Sequence, residues 1–207
     1  VAVNHKDGPM LVLAGAGSGK TKVLTSRIAA LIESDISPAN ILAITFTNKA
    51  AKEMRDRVKN LIGPNANYIQ ISTFHSLGLK LIKENYEFLG YDKNFIILDS
   101  DDTLTIIKKL MKDLNMNPKY YNARELRNKI SSAKNELITP DKFKKIEFDA
   151  KVITLYKKYT EKLKQGNSVD FDDLLLLPIK LFETSPSILE TYQEKYKYIL
   201  IDECQDT

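Results

Sequence analysis

The sequence predicts an α/β fold in which a parallel sheet is wrapped by helices and interrupted by an inserted all-helical segment. Three observations carry that expectation. A glycine-rich stretch, Ala14-Gly15-Ala16-Gly17-Ser18-Gly19-Lys20-Thr21, stands between an apolar run and a helix-patterned run. The runs Asn40 to Phe46 and Tyr198 to Ile201 are apolar with little alternation, as strands buried on both faces of a parallel sheet are. From about residue 97 to about residue 164 the apolar positions recur at helical spacing, with no convincing strand among them.

Taken in order, Val1 to Pro9 is a polar lead-in and Met10 to Leu13 is expected as the first strand. The glycine-rich stretch follows, and its chemistry is that of a P-loop. A phosphate needs a ring of backbone N–H donors, and residues without a Cβ let the chain curl tightly enough to supply one. Gly15, Gly17 and Gly19 give that freedom, with the small Ala14, Ala16 and Ser18 between them. Lys20 is placed to reach the terminal phosphates, Thr21 to offer its hydroxyl to Mg²⁺, and the next helix points its positive end at the same anion. That helix carries Val23, Leu24, Ile28, Leu31 and Ile32 on one face. Arg27 lies on it too, and spacing alone leaves open whether it meets a ligand or solvent.

Asn40 to Phe46 reads as a buried strand, and Thr47 or Asn48 as the cap of a helix that runs to Ile62 and stops at Gly63-Pro64. Tyr68 to Ser72 is a further strand, and Thr73-Phe74-His75-Ser76 leads into a helix to about Leu89. Asp99 to Asp102 is an acidic cap for a helix bearing Leu104, Ile107, Leu110, Met111 and Leu114. Helical periodicity then continues, broken at Asn117-Pro118 and Thr139-Pro140, until Gln165 to Ser168. Asp170, Asp172 and Asp173 lie close enough in sequence to suggest a metal cluster, but helix capping explains them better. A helix after Ser185-Pro186 leads to the apolar strand Tyr198 to Ile201, which ends in Asp202-Glu203.

A buried strand ending in two acids completes the chemistry that the P-loop begins. Asp202 would share Mg²⁺ with Thr21, since that ion takes hard oxygen ligands. Glu203 would orient and deprotonate the attacking water.

Charge is uneven along the chain. Residues 103–165 hold 16 Lys/Arg against 7 Asp/Glu, whereas residues 166–207 hold 3 against 9. A basic middle beside an acidic end suggests a polyanion partner for the former. Cys204 is the one cysteine, so no internal disulfide can form and a reducing, cytoplasmic setting is the default. No apolar run approaches the length of a membrane span. The chain begins at Val1 and ends within a motif, and is expected to be a fragment of a longer protein.

Taken together, LAGAGSGKT (13–21), TFTNKAAKEM (45–54), TFHS (73–76) and DECQDT (202–207), with DFDDL (170–174) as a weaker fifth stretch, resemble the UvrD/PcrA/Rep branch of superfamily 1 DNA helicases. The resemblance spans the whole chain. It implies a RecA-like domain built from residues 1–78 and 168–207, with a helical subdomain at 79–167. It further implies a motor driven by Mg-ATP that moves 3′ to 5′ on single-stranded DNA and separates duplexes in DNA repair or replication.

By the same resemblance Thr45, Phe46, Thr47, Asn48 and Lys49 would contact single-stranded DNA, with Phe46 stacking on a base, and Thr73, Phe74 and His75 would lie along that path. Arg27 matches an arginine near the adenine, and Gln205 would link the nucleotide site to the DNA side. Cys204 departs from the family's usual aromatic. The later phosphate sensors, the arginine fingers and the second motor domain lie outside the chain, so the fragment alone is expected to bind nucleotide weakly, turn over negligibly and unwind nothing. The rivals are the motor of a helicase-nuclease, a small-molecule P-loop kinase, and a non-catalytic DNA-binding module.

Overall fold

The structure is a computed structural model that describes residues 2–5, 8–13, 15, 17, 19–147 and 149–203. In chain order its main elements are α1 (Lys20–Glu33), β1 (Ile41–Thr45), α2 (Asn48–Ile62), β2 (Gln70–Thr73), α3 (Phe74–Glu84), β3 (Ile96–Ile97) and α4 (Ser100–Asp113). There follow α5 (Ala123–Asn135), α6 (Pro140–Phe143), α7 (Ala150–Gln165), β4 (Ser168–Val169), α8 (Asp173–Thr184), α9 (Pro186–Lys195) and β5 (Tyr198–Ile201). They divide into two compact units, residues 1–77 with 185–207, and residues 78–184.

The first unit is an α/β layer. Among the described residues its sheet has three parallel strands in the order β2-β1-β5. The central strand β1 is buried at all five positions, which is what an unalternating apolar run requires. One face carries a core of Ile28 and Leu31 from α1, Met54 and Val58 from α2, and Ile41, Ala43, Ile71 and Leu200 from the strands. A smaller cluster joins Leu42 and Ile44 to Tyr196, with Phe74, Leu77 and Tyr192 packed against them. Thr47 caps α2 by accepting from the Ala50 N–H at 3.1 Å, and Gly63 ends it with φ of 66°.

Met10–Leu13, expected as the first strand, has no ladder partner among the described residues. All four side chains are exposed, Leu13 at 86%. An apolar run becomes a strand only when its N–H and C=O groups find a paired neighbour, and none of β1, β2 and β5 pairs with it.

The second unit is helical. Ile107, Leu126, Ile130, Leu155, Tyr156 and Tyr159 form its core with Phe143 and Val152. Asp99 and Asp102 make a reciprocal capping box at the start of α4, as the acidic cluster predicts. A two-stranded parallel ladder, β3 with β4, also lies in this unit; four residues are too short a pattern to register as strands in the sequence. The second junction falls at 184/185 instead of the expected 167/168, because β4 pairs with β3 and Leu174 and Leu177 of α8 pack with Ile82 and Val169.

Within this unit Pro178 interrupts α8. Proline has no N–H, so the carbonyl of Leu174, four residues back, loses its helical donor. Gly78 of α3 backs onto that carbonyl so closely that a Cβ would lie 1.8 Å from its oxygen.

Candidate functional site

The site begins where the loop becomes α1. Gly17 and Gly19 have φ of 75° and 89°, a left-handed conformation that glycine adopts without the Cβ penalty. Gly19 is the N-cap of α1, and no side chain caps that end. The first turn therefore presents Lys20, Thr21 and its backbone donors with no carboxylate among its own residues. This is the arrangement a phosphate needs. Gly15 lies in the same loop, whereas Ala14, Ala16 and Ser18 of the predicted set lie outside the described residues.

Parallel pairing brings the end of β5 to this loop. Ile44 is in register with Ile201, and the Asp202 N–H donates to the Ile44 carbonyl at 2.9 Å. Asp202 is 7% exposed. The Thr21 hydroxyl donates to its Oδ2 at 3.1 Å, and Lys20 Nζ lies 3.9 Å from Glu203 Oε2. Residues 181 and 183 positions apart in sequence thus form one group.

Glu203 has φ of 55°, a left-handed backbone that typically costs a non-glycine residue about 1–3 kcal/mol and concentrates at functional sites. A hydroxyl and a carboxylate in contact are hard oxygen donors of the kind Mg²⁺ accepts. Among the described residues no three acidic, His or Cys side chains gather to hold a metal. The pair therefore suits an ion that completes its shell from phosphate and water. Gln205, with Cys204, lies outside the described residues.

Along the same sheet edge Thr45 of β1 is in register with Thr73 of β2. Both side chains are buried, at 1% and 6% exposure. Thr73 Oγ1 accepts from the Ser76 N–H and donates to Ser76 Oγ at 2.9 Å, capping α3. Of the residues predicted to meet DNA, the surface is left to Phe46, Thr47, Asn48 and Lys49, with Phe74 and His75 half-buried. The ring of Phe46 is 39% exposed. Phe74 meets it edge to face, with centroids 6.0 Å apart and planes at 71°.

Arg27 stands apart from these groups. Seven residues along a helix amount to about 10 Å from Lys20, and its Nη1 donates to the carbonyls of Ala2, Val3 and His5. It ties α1 to the lead-in.

The acidic turn 170–173 in the helical unit holds no metal cluster among the described residues. Asp170 and Asp173 cap each other through their backbone N–H groups, at 2.9 and 3.1 Å. Lys134 from α5 donates to both carboxylates at 2.7 and 2.8 Å, and the Tyr159 hydroxyl donates to Asp170 at 2.7 Å. The sequence reading identifies the cap and misses Lys134, which looks like any other lysine of a basic helix. Burial opposes charge on all three ions. The two carboxylates hold Lys134 above its ordinary value, and Lys134 with its hydrogen bonds keeps Asp170 below the usual carboxylate range. One ammonium cannot do this for both, and burial pushes Asp173 up to about 6.

With this geometry in place, comparison with known proteins is informative. The family model described as the UvrD/REP helicase N-terminal domain matches residues 1–207. The chain is 50% identical over 210 residues to the ATP-dependent DNA helicase PcrA of Bacillus subtilis (strain 168), covering 100% of this chain and 28% of that protein. It is 48% identical to the protein of the same name from Staphylococcus epidermidis, of which it covers 29%, and 46% identical to that from Staphylococcus aureus, again 29%. The chain thus spans under a third of the length of these relatives.

Proposed function

The chain belongs to the UvrD/REP helicase family, and we propose that the whole protein is an ATP-driven DNA helicase that moves 3′ to 5′ on single-stranded DNA and separates strands at single-strand/duplex junctions, in DNA repair or replication. The observation that carries this reading is the shared edge of one parallel sheet. Thr21 meets Asp202 at 3.1 Å there, and the exposed ring of Phe46 follows the neighbouring strand β1. A nucleotide site and a base-stacking surface on adjacent strand ends allow a change at one to move the other.

In this reading the loop N–H groups and the start of α1 receive the phosphates. Lys20 neutralises charge on the terminal ones. Thr21 and Asp202 supply oxygen ligands to Mg²⁺, which when bound offsets phosphate charge. Glu203 orients the attacking water and takes its proton. Ala14, Gly15, Ala16, Gly17, Ser18 and Gly19 form the cradle, Arg27 flanks the adenine, and Gln205 couples nucleotide to DNA. Phe46 stacks on bases without regard to sequence, with Thr47, Asn48 and Lys49 on the backbone path and Thr45, Thr73, Phe74 and His75 shaping it. Residues 78–184 form a subdomain inserted into a RecA-like domain. Turnover is assigned to the whole protein together with its second motor domain, and the chain alone is expected to be inactive. A cytoplasmic location belongs to the same reading. Among the described residues no helix is long and apolar enough to cross a membrane.

The test is hydrolysis of ATP by the whole protein with and without single-stranded DNA, beside strand displacement from duplexes with a 3′ or a 5′ tail. DNA-stimulated hydrolysis and displacement from the 3′-tailed duplex are expected. Hydrolysis indifferent to DNA would overturn the helicase reading in favour of a small-molecule kinase, and preference for the 5′ tail would overturn the direction.

A further inference from the structure

Helix α2 carries Lys49, Lys52, Arg55, Arg57 and Lys59, and among the described residues Arg55 is the one of these that bonds a strand. Its Nη2 donates to the main-chain carbonyl of Ile71 in β2 at 2.7 Å. Ile71 is 2% exposed, and a buried carbonyl needs a donor. Strand β2 is outermost in its sheet, with a strand neighbour on one side only among the described residues. A side chain can therefore reach its backbone. A bond from a guanidinium is roughly twice as strong as one between neutral groups, so this is a firm tie between helix and strand.

The two elements that it joins both lead to the proposed DNA path. Helix α2 starts at Asn48, directly after Phe46 and Thr47, and β2 ends at Thr73, directly before Phe74 and His75. Arg55 lies about 10 Å along the helix from Asn48, and Ile71 about 7 Å along the strand from Thr73. Between them Met54 and Val58 of α2 pack with Ile71 in one apolar cluster. Apolar burial is non-directional and leaves the helix free to slide or turn on the sheet, whereas a directed hydrogen bond fixes its place. The outcome is visible at the surface, where Phe46 and Phe74 meet at 6.0 Å.

We propose that Arg55 is a positioning residue for single-stranded DNA. By tying α2 to β2 behind the sheet edge, it sets the spacing between the stretch 46–49 and the stretch 73–75, so that the two engage one strand together. The inference rests on the reading of single-stranded DNA as the partner.

The experiment is fluorescence anisotropy of the whole protein with a dT oligonucleotide, on the parent, Arg55→Met, Arg57→Met, Phe46→Ala and the double variant Arg55→Met/Phe46→Ala. Thermal unfolding checks that each is folded. Arg55→Met is expected to raise the Kd about three- to tenfold. Arg57→Met removes the same charge from the same helix and should leave the Kd unchanged. In the Phe46→Ala background the loss from Arg55→Met should shrink, because the stretch it positions is already impaired. An unchanged Kd in Arg55→Met would leave the bond a purely structural one. Equal losses in Arg55→Met and Arg57→Met would assign the effect to charge, and losses that multiply in full with Phe46→Ala would make Arg55 a direct DNA contact. Each of these results would overturn the proposal and leave the helicase reading intact, whereas failure of the parent to bind the oligonucleotide would overturn both. Should Arg55→Met fail to fold, Arg55→Gln, with an amide donor on a shorter stem, goes through the same cycle and is judged by the same results.

Discussion

Each unit of the chain gathers one lysine, two carboxylates and one hydroxyl, and the two sets share little else. In the sheet unit Lys20 lies 3.9 Å from Glu203 and Thr21 3.1 Å from Asp202, and the Lys20 and Glu203 side chains are 28% and 39% exposed. In the helical unit Lys134, Tyr159, Asp170 and Asp173 are joined at 2.7 to 2.8 Å, and the ions are 2 to 9% exposed. The first set sits at strand ends beside an uncapped helix start, where a charged ligand can enter and leave. The second is buried, and its members bond one another. Composition is therefore a poor guide to the setting of a charged cluster, and burial separates the two.

The largest effects should fall on activity in the open set. Lys20→Ala and Glu203→Gln are each expected to lower DNA-stimulated phosphate release by the whole protein about 10²–10⁴-fold. Both side chains are partly exposed, so unfolding should shift by no more than about 0.5 kcal/mol. A variant that keeps more than a tenth of the parent rate would break the contrast from this side.

The closed set should answer in stability. Lys134→Met leaves two buried carboxylates without their cation, and removing one partner of a buried pair costs about 3–5 kcal/mol. Urea unfolding of the chain measures it. Adding Asp173→Asn should recover part of the loss, because the neutral amide no longer needs an ammonium. A loss below about 1 kcal/mol is what an exposed pair shows, and would place Lys134 with the open set.

Asp173 also makes stability depend on pH, in a direction that sharpens the contrast. Burial, with the neighbouring Asp170 charge and against the pull of Lys134, raises this carboxyl to about 6, whereas an unfolded aspartate titrates near about 3.9. Between those values the folded chain keeps a proton that the unfolded chain has released. Stability from this group is therefore full below about pH 4 and falls as pH rises to about 6, by on the order of 3 kcal/mol. Asp170, held low, acts the opposite way, and its contribution is lost only as pH drops below about 4. Urea midpoints across that window should fall with pH in the parent and flatten in Asp173→Asn. Parallel curves would show that Asp173 is ionised throughout.

How much of this was legible beforehand follows the range of the interactions. The glycine turn at Gly17 and Gly19, the β1 strand and the caps at Thr47 and Asp99 are local, written in a few adjacent residues whose preferences the fold respects. The open site is legible for a related reason, since Lys20-Thr21 and Asp202-Glu203 each end a strand-like run and need only parallel pairing to meet. Lys134 was not legible, because a lysine on a basic helix carries no sign of carboxylates 36 and 39 positions away. Met10–Leu13 misled for the complementary reason. Its apolar character is local, but being a strand depends on a neighbour that the described residues do not provide. The β3–β4 ladder failed on length.

The smallest effect should come from the aromatic pair beside the open set. Phe74 is anchored among Leu42, Ile44 and Tyr196 and meets Phe46 edge to face at 6.0 Å, so its first task is to fix the exposed ring's orientation. Edge-to-face pairs add about 0.5–1.5 kcal/mol beyond burial, and Phe74→Leu retains most of the apolar contact. The Kd of the whole protein for single-stranded DNA should rise about two- to tenfold. Phe46→Ala removes stacking worth about 1–3 kcal/mol per base and should cost as much or more. The double variant separates the roles. If Phe74 acts through Phe46, Phe74→Leu adds nothing once Phe46 is alanine, whereas a direct contact with DNA would make the two losses additive. Additive losses would extend the open set by one residue and turn the positioning aromatic into a binding one.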